Sequence, residues 1–340
     1  MERLASKVRR LQMTELTPIP YYRPAKPDAQ RLRILTQEIA KSHVISNGPV
    51  CRELEETVRD FYGVRYALSC ASCTTGLVLA LKSAKNTVNA TQCVIPSFTW
   101  DSTRFAVEAN GLNVVYGDCD LNTWLLKPIK GDNSTIVMPV STFGIAVDPE
   151  LYGKHVVIDA AHAMGTPIDI SKAIGAVFSL APSKIVTAGE GGIFITDNLE
   201  AASAFSEYRD KFGRMSELNA AMGLAHWDGL DAYIRDRRNR WLKYGQILKV
   251  PQRVGLSNYS SAAFRIAKGR DTLAEKLKEK GVETRVYYKP LREATGLENT
   301  MQLFKEVICL PTWYGCPTER VMDALYSILE KPAESPVTIK

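Results

Sequence analysis

Residues 176–196 of the chain read Ala-Val-Phe-Ser-Leu-Ala-Pro-Ser-Lys-Ile-Val-Thr-Ala-Gly-Glu-Gly-Gly-Ile-Phe-Ile-Thr. Two short apolar runs, Ala176–Leu180 and Gly192–Thr196, flank a lysine and a glycine-rich segment. Neither run alternates between polar and apolar residues, so each predicts a strand that is covered on both faces. Lys184 then lies just beyond the end of a buried strand, which is where open α/β sheets bind their ligands.

Similar apolar runs precede this stretch, with helical patterns between them. Strands are predicted at Tyr66–Cys70, Cys93–Ser97, Asn113–Gly117, Thr135–Val140 and Val156–Asp159, and helices at Thr74–Ser83 and Trp100–Ala109. Alternation of buried strands with helices is typical of a sheet that lies between two helical layers. We therefore predict an α/β fold whose large domain has a mostly parallel, seven-stranded sheet between helices.

A second, smaller α/β domain is predicted after a helical stretch over residues 199–248. Its predicted elements are a strand at Ala263–Ala267, a helix at Asp271–Lys280, a strand at Glu283–Tyr288 and a helix at Thr318–Leu329. The predicted division is a basic N-terminal arm (residues 1–33), a large domain (34–235), a small C-terminal domain (236–330) and a loose tail (331–340).

Composition and charge exclude several classes of protein. Hydrophobic residues make up 45% and charged residues 24% of the chain, which excludes a disordered or collagen-like protein. Seven cysteines without regular spacing predict reduced thiols rather than a disulfide scaffold. The chain has neither a secretory signal nor an apolar run of about 18 residues, so we expect a soluble, cytoplasmic protein with no membrane partner.

The positive charge of the chain is concentrated near its N-terminus. Residues 1–33 hold eight basic and three acidic residues, a net +5 of the total +6. Leu4, Val8 and Leu11 have helical spacing, which predicts a short amphipathic helix. No nucleic-acid motif accompanies this charge, so no nucleic-acid partner is predicted.

Lys184 and Asp159 are the candidate catalytic residues. A lysine in a partly dry place loses its proton easily and forms Schiff bases, although a solvated surface lysine is the alternative. Asp159 ends an apolar strand, and a buried carboxylate requires a cationic partner. A protonated pyridine nitrogen would serve, and so would a helix cap or a buried salt bridge.

Two further segments start helices at strand ends. Ser72, Cys73 and Thr74 begin one helix, whose free N–H groups would hold a phosphate, unless Ser72 or Thr74 only caps it. Trp100 begins another helix, and its ring either stacks on a planar ligand or belongs to the core. A phosphate cradle, a stacking ring, an acid and a lysine, in this order, describe a pyridoxal phosphate site. The four histidines lack metal-ligand spacing, so no metal site is predicted.

With these residues, the sequence resembles the DegT-type sugar-nucleotide aminotransferases, a branch of the aspartate aminotransferase-like (fold type I) pyridoxal phosphate enzymes. The resemblance covers most of the chain. The segments that match the family's motifs are Ile45-Ser-Asn-Gly-Pro49, Ser72-Cys-Thr-Thr-Gly-Leu77, Pro96–Trp100, Asp159–Ala163, Ser179–Lys184, Gly189–Gly192 and Arg214-Met-Ser-Glu-Leu-Asn-Ala-Ala-Met-Gly223.

The resemblance implies a role for each site residue. Lys184 would form the internal aldimine and move a proton, Asp159 would keep the pyridine nitrogen protonated, and His162 would lie near the phenolic oxygen. Trp100 would stack on the ring, and the phosphate would be held by Ser179 and the turn of Ser72, Cys73 and Thr74. The implied reaction is ping-pong: glutamate gives an amino group that passes to a nucleotide-linked keto-deoxysugar, in a homodimer.

Departures from the family pattern leave alternatives open. Cys73 stands where the phosphate turn has glycine, Tyr287 stands where histidine is common, and Lys211-Phe-Gly213 replaces a loop that carries an asparagine across the dimer. A dehydratase, an aminotransferase of a non-sugar ketone or a non-catalytic relative are the alternative functions. Lys184 favours amination, because the dehydrating branch has histidine in its place.

Overall fold

The computed structural model describes residues 17–249 and 255–329, so the predicted helix at Leu4–Leu11 and the tail at 331–340 lie outside the described residues. The elements in chain order are α1 (Ala29–Ser42), α2 (Pro49–Tyr62), β1 (Tyr66–Cys70), α3 (Cys73–Val88), β2 (Gln92–Pro96), α4 (Asp101–Ala109), β3 (Asn113–Gly117), β4 (Thr135–Val137), β5 (Val157–Asp159), β6 (Gly175–Ser179), β7 (Gly192–Thr196), α5 (Leu199–Phe212), α6 (Glu217–Trp227), α7 (Leu230–Leu248), β8 (Ala262–Arg265), α8 (Arg270–Glu279), α9 (Glu298–Glu306), β9 (Val307–Leu310) and α10 (Thr318–Leu329). Short 3₁₀ segments lie at Thr142–Gly144 and Pro149–Tyr152.

The strands form mixed sheets between helices, so the α/β class is confirmed. One sheet has the order β1-β7-β6-β5 and another has the order β3-β2-β4. Parallel bridges of Val137 with Val156 and of Val140 with Asp159 connect the two sheets. β7 runs antiparallel to both β1 and β6. A parallel return would need a crossover, usually a helix, and the connection over residues 180–191 contains none.

Two predictions of local structure differ from what is found. The predicted strand at Glu283–Tyr288 is wrong, because the segment forms only isolated pairings: the N–H of Glu283 donates to the carbonyl of Ile19 (2.9 Å), and Arg285 exchanges backbone hydrogen bonds with Cys309. Beyond it, Tyr287 and Tyr288 leave the sheet and pack with Phe143. β9, which pairs with β8, and the helices α1, α2 and α9 were not predicted.

The buried side chains form a main core beside the large sheets, a second core around β8 and β9, and a third core under α3, α4 and α5. α7 contributes to the first two, with Leu230 and Tyr233 in the main core and Trp241 and Tyr244 in the second. Ile19 also lies in the second core, where it pairs with Val282. The helix α7 thus fixes the position of the main core relative to the second.

A buried carboxylate connects the segments around Gly48 and Ser216. Glu217 is fully buried, and its Oε1 accepts hydrogen bonds from the N–H groups of Gly48 (2.8 Å) and Cys51 (2.9 Å). Its Oε2 accepts one from Val50 (2.8 Å). Burial alone would raise the pKa of Glu217, but these hydrogen bonds hold it below its ordinary value. A negative charge at the N-terminus of α2 also interacts favourably with the helix dipole.

We expect Glu217→Gln to lower the free energy of unfolding by about 2–3 kcal/mol at neutral pH. An amide group offers one acceptor oxygen and directs its NH₂ group at backbone N–H groups. Urea titration checks this, with Glu200→Gln as the control, because Glu200 is an exposed glutamate in the first turn of α5.

The pH dependence of the same pair of proteins gives a second check. Because folding lowers the pKa of Glu217, its contribution to stability is complete above the ordinary glutamate pKa and is lost as pH falls through the folded-state pKa. The difference between wild type and Glu217→Gln should therefore shrink on acidification. A difference that stays constant down to about pH 3 would contradict this assignment.

Candidate active site

A cavity of about 380 Å³ lies where the strand ends, the connection after β6 and the second core meet. It brings together every residue that the sequence singled out for a site. Its walls include Ser72, Cys73, Thr74, Trp100, Asp159, His162, Ser179 and Lys184. These residues come from four separate parts of the chain, so the fold rather than the local sequence assembles them.

Asp159 is a buried acid without a cationic partner. Its side chain is 3% exposed at the end of β5. Thr103 in α4 donates a hydrogen bond to Oδ2 (2.8 Å), and the N–H of Ala161 donates one to Oδ1 (3.1 Å). Burial raises the pKa of Asp159, and the two hydrogen bonds and Lys184 oppose that rise. Among the described residues no cation forms an ion pair with it.

His162 has a free ring nitrogen at the cavity wall. Its Nδ1 is buried and has no hydrogen-bond partner among the described residues. Burial, with the charges of Lys184 and Arg237, lowers its pKa well below the ordinary value, so the ring is neutral. The Nδ2 of Asn258 donates to the carbonyls of His162 (2.7 Å) and Met164 (2.8 Å), which fixes this loop.

The start of α3 forms a cradle of backbone N–H groups. The Oγ of Ser72 accepts a hydrogen bond from the N–H of Thr75 (3.1 Å), so Ser72 caps the helix. Cys73 and Thr74 are the first residues of the helix, so their N–H groups have no intrahelical acceptor. A Cβ at Gly192 would lie 2.7 Å from the carbonyl oxygen of Ser72, so the close approach of β7 to this turn requires glycine.

Ser179 and Lys184 belong to the end of β6 and the connection that follows it. Ser179 is 4% exposed, and its Oγ accepts a hydrogen bond from the N–H of Ala181 (3.3 Å). Lys184 is half-buried and lines the cavity. Burial lowers the pKa of Lys184, while Cys73, Asp159 and Glu190 oppose that change. The ammonium group therefore releases its proton more readily than a lysine in water does.

Aromatic rings form the outer wall of the cavity. Trp100, 62% exposed, lies directly before α4 with its ring available for stacking. Tyr288 stacks on Phe143 at a centroid distance of 5.5 Å, and Tyr287 is its neighbour in the wall.

Sequence reasoning missed Thr103, Asn258 and Arg237, which hold or surround the predicted residues. Thr103 is one of two adjacent hydroxyl residues in α4, so no local signal distinguishes it from Ser102.

The unsatisfied groups of the cavity fit one kind of cofactor. A buried carboxylate without a cation suits a protonated ring nitrogen, and the free amides at the helix start suit a phosphate. The orphaned Nδ1 of His162 suits a polar ring substituent. Pyridoxal phosphate carries all three groups on one ring.

Fold and cavity are those of a cofactor-dependent α/β enzyme. Residues 28–328 match the model of the DegT/DnrJ/EryC1/StrS aminotransferase family, and the chain belongs to this family. It is therefore a pyridoxal phosphate-dependent aminotransferase, as the sequence predicted.

Relatives with assigned substrates resemble the chain over most of its length. It is 25% identical over 319 residues to dTDP-4-amino-4,6-dideoxy-D-glucose transaminase of Shigella dysenteriae, covering 78% of this chain and 86% of that protein. It is 27% identical over 293 residues to UDP-4-amino-4-deoxy-L-arabinose–oxoglutarate aminotransferase of Shewanella sediminis, covering 82% and 70%. The crystal structure of DesI with its TDP-sugar product matches with a TM-score of 0.83 at 26% identity, covering 92% of each chain.

The described residues offer neither a membrane span nor a metal site. Over residues 17–249 and 255–329, no helix has the length and apolar character that crossing a membrane requires. Within the same ranges, no group of three or more histidine, cysteine, aspartate or glutamate side chains is placed to hold a metal ion.

We expect Asp159→Asn to leave the free energy of unfolding of the cofactor-free protein unchanged or higher at pH 7. Folding raises the pKa of Asp159, so its ionised form destabilises the folded state above the ordinary aspartate pKa, and the neutral amide removes this cost. The hydroxyl of Thr103 can accept from the new NH₂ group. Urea titration checks this, with the exposed Asp323→Asn as control. A loss above about 2 kcal/mol would mean that the charge stabilises the fold.

Proposed function

We propose that the protein transfers the amino group of glutamate to the keto group of a nucleotide-linked deoxysugar, in two successive half-reactions at one site. The observation that carries this proposal is the convergence of Lys184, Asp159 and the Ser72–Thr74 turn on one cavity. Family membership supports the type of reaction, and the names of the relatives from Shigella and Shewanella support the class of substrate.

The cavity residues divide the binding of pyridoxal phosphate among them. When bound, this cofactor supplies an electron-withdrawing ring that stabilises negative charge on the substrate carbon. Asp159 would keep a proton on the ring nitrogen, and His162 would lie beside the phenolic oxygen. The N–H groups of Cys73 and Thr74, with the hydroxyl of Ser179, would hold the phosphate. Trp100 would cover one face of the ring.

Lys184 would hold the cofactor covalently and then act as the acid and base. Its Nζ would take the proton from the α-carbon of the donor and return it at the cofactor's exocyclic carbon, and the reverse at the sugar carbon. A general base works best when its pKa lies near the working pH. Burial moves the pKa of Lys184 in that direction, because it penalises the charged form.

A second cavity, of about 530 Å³, gives room for the nucleotide. It shares Thr99, Trp100 and Tyr287 with the first cavity, and Lys289 also lines it. A lysine at this place would attract a diphosphate, and exposed rings stack well on a base or a sugar. The sugar would therefore enter past Trp100 with its nucleotide in the outer cavity.

We further propose that the protein works as a homodimer in the cytoplasm. Ile45 and Leu218 are 74% and 60% exposed, and their segments are joined by the hydrogen bond from the N–H of Glu217 to the carbonyl of Ile45. Adjacent exposed apolar side chains are typical of an interaction surface. Sedimentation of the purified protein as a monomer would exclude the dimer.

The absorbance spectrum before and after addition of glutamate tests the function. We expect a visible band of bound cofactor that glutamate removes and a nucleotide-linked keto-sugar restores. A band that glutamate leaves unchanged would contradict glutamate as the donor and favour a dehydratase or another donor. The absence of a band after loading with pyridoxal phosphate would contradict the proposed site.

We expect Lys184→Ala to lose the covalently held cofactor and at least about 99% of the amine transfer, because no other amine of the described cavity can replace Nζ. Absorbance after loading, and mass spectrometry after borohydride reduction, measure the covalent bond. Lys172→Ala, which removes an exposed lysine nearby, is the control. A reduced adduct that persists in Lys184→Ala would place the bond on another residue.

We expect Ser179→Ala to weaken retention of the cofactor by about 1–3 kcal/mol, which is the usual cost of one hydrogen bond to a charged group. Dialysis against buffer, followed by the remaining absorbance, measures this loss. Ser203→Ala removes an exposed hydroxyl in α5 and serves as control. Equal retention in the two variants would exclude Ser179 from the phosphate site.

A further inference from the structure

Arg237, in the middle of α7, is a buried cation that the proposed cofactor does not use. Its side chain lines the cavity, and the residue is only 7% exposed. Of its donors, the described residues accept only one: Nη1 donates to the carbonyl of Ser260 (2.7 Å). Nε is buried without an acceptor. Buried guanidinium groups in proteins are normally paired, so this one calls for a partner.

No carboxylate of the described residues supplies that partner. The neighbouring Asp236 forms its ion pair with Arg240 instead. The acid of the cavity, Asp159, forms its hydrogen bonds with Thr103 and Ala161. Burial lowers the pKa of Arg237 to about 10, which leaves the group charged at neutral pH. The cavity therefore contains a desolvated positive charge with free donors.

Two hydroxyl groups of the same cavity also lack a partner. The Oγ of Ser260 and the Oγ1 of Thr312 are buried without hydrogen-bond partners among the described residues, and both residues line the same cavity. Neither belongs to the helix start that would hold a phosphate. A guanidinium group that shares a cavity with two free hydroxyls suits a small planar anion, because the fork of N–H groups matches a carboxylate.

From this arrangement we propose that Arg237, with Ser260 and Thr312, binds a carboxylate group of the amino-group donor. This inference rests on the proposed function and names the donor's binding site. In an α-amino acid the carboxylate is attached to the carbon that exchanges its amino group, so it must lie in the same cavity as Lys184. Arg237, Lys184 and His162 all line this one cavity.

A nucleoside diphosphate is the other anion that reaches this enzyme. Its phosphates lie beyond the sugar ring and so further from the reacting carbon. The outer cavity already offers Lys289 for them. Arg237 lines the inner cavity and not the outer one, which favours the donor's carboxylate.

Binding of unreactive anions to the cofactor-loaded protein tests the inference without turnover. The probes are glutarate, its uncharged counterpart glutaramide, and dTDP, measured by calorimetry. We expect Arg237→Gln to weaken glutarate binding about ten- to one-hundredfold, with dTDP binding unchanged and glutaramide weak in both proteins. Arg238→Gln, an exposed arginine one position along α7, should bind glutarate like wild type.

Glutarate binding within twofold of wild type in Arg237→Gln would overturn the inference, and so would a loss confined to dTDP. The cofactor absorbance and the melting temperature show whether the variant is folded. If it is not, Arg237→Lys replaces it, with an expected loss of at least about threefold, because lysine lacks the planar fork. Unchanged glutarate binding there would also overturn the inference.

The glutamate half-reaction separates this inference from the proposed function. The glutamate concentration for half-maximal conversion should rise by the same factor as the glutarate dissociation constant. If wild type binds glutarate through Arg237 but glutamate does not convert the cofactor, the carboxylate site stands and the proposed donor is wrong. Conversion by glutamate that is equal in wild type and Arg237→Gln supports the function and overturns the site.

Discussion

The pairing of Asp159 with its neighbours is the constraint on which the site depends. Its backbone N–H donates to the carbonyl of Pro139 (3.0 Å), and its carbonyl accepts from the N–H of Ser141 (2.9 Å), so this residue forms part of the connection between the two sheets. The same residue's carboxylate is held by Thr103 and Ala161. Position and orientation of the acid are thus set by the protein before any ligand binds. In the proposed function, a protonated ring nitrogen would supply the positive charge that offsets the desolvation of that carboxylate.

The functional groups around this acid are held by different elements of the fold. β6 brings Ser179 to the strand end, and Lys184 lies in the connection between β6 and the antiparallel β7. The close packing of Gly192 under Ser72 keeps the start of α3 at the same edge. A cavity built this way has rigid strand ends on one side and the second core on the other. Catalytic groups held by such elements are already in place for reaction.

The sequence predicted what depends on local pattern. Buried strands stand out as apolar runs. The predicted strand that ends at Asp159 and the predicted strand that precedes Lys184 each lie within one residue of the observed β5 and β6. Contacts across large sequence separations leave no such trace: Asn258 reaches His162 from 96 residues away. The segment Glu283–Tyr288 has the composition of a strand, but its tyrosines pack into the cavity wall instead. Tertiary packing determined the conformation of this segment, as it commonly does for short segments with strand propensity.

Because α7 is shared by two cores, it couples their unfolding to the binding of a ligand. Its first half is buried in one core, its second half in the other, and Arg237 lies between Tyr233 and Trp241. A ligand held by that guanidinium requires both halves of the helix in place. Binding of such a ligand would therefore stabilise both of these cores against unfolding. Two cores that melt separately in the free protein would melt as one cooperative unit in the complex.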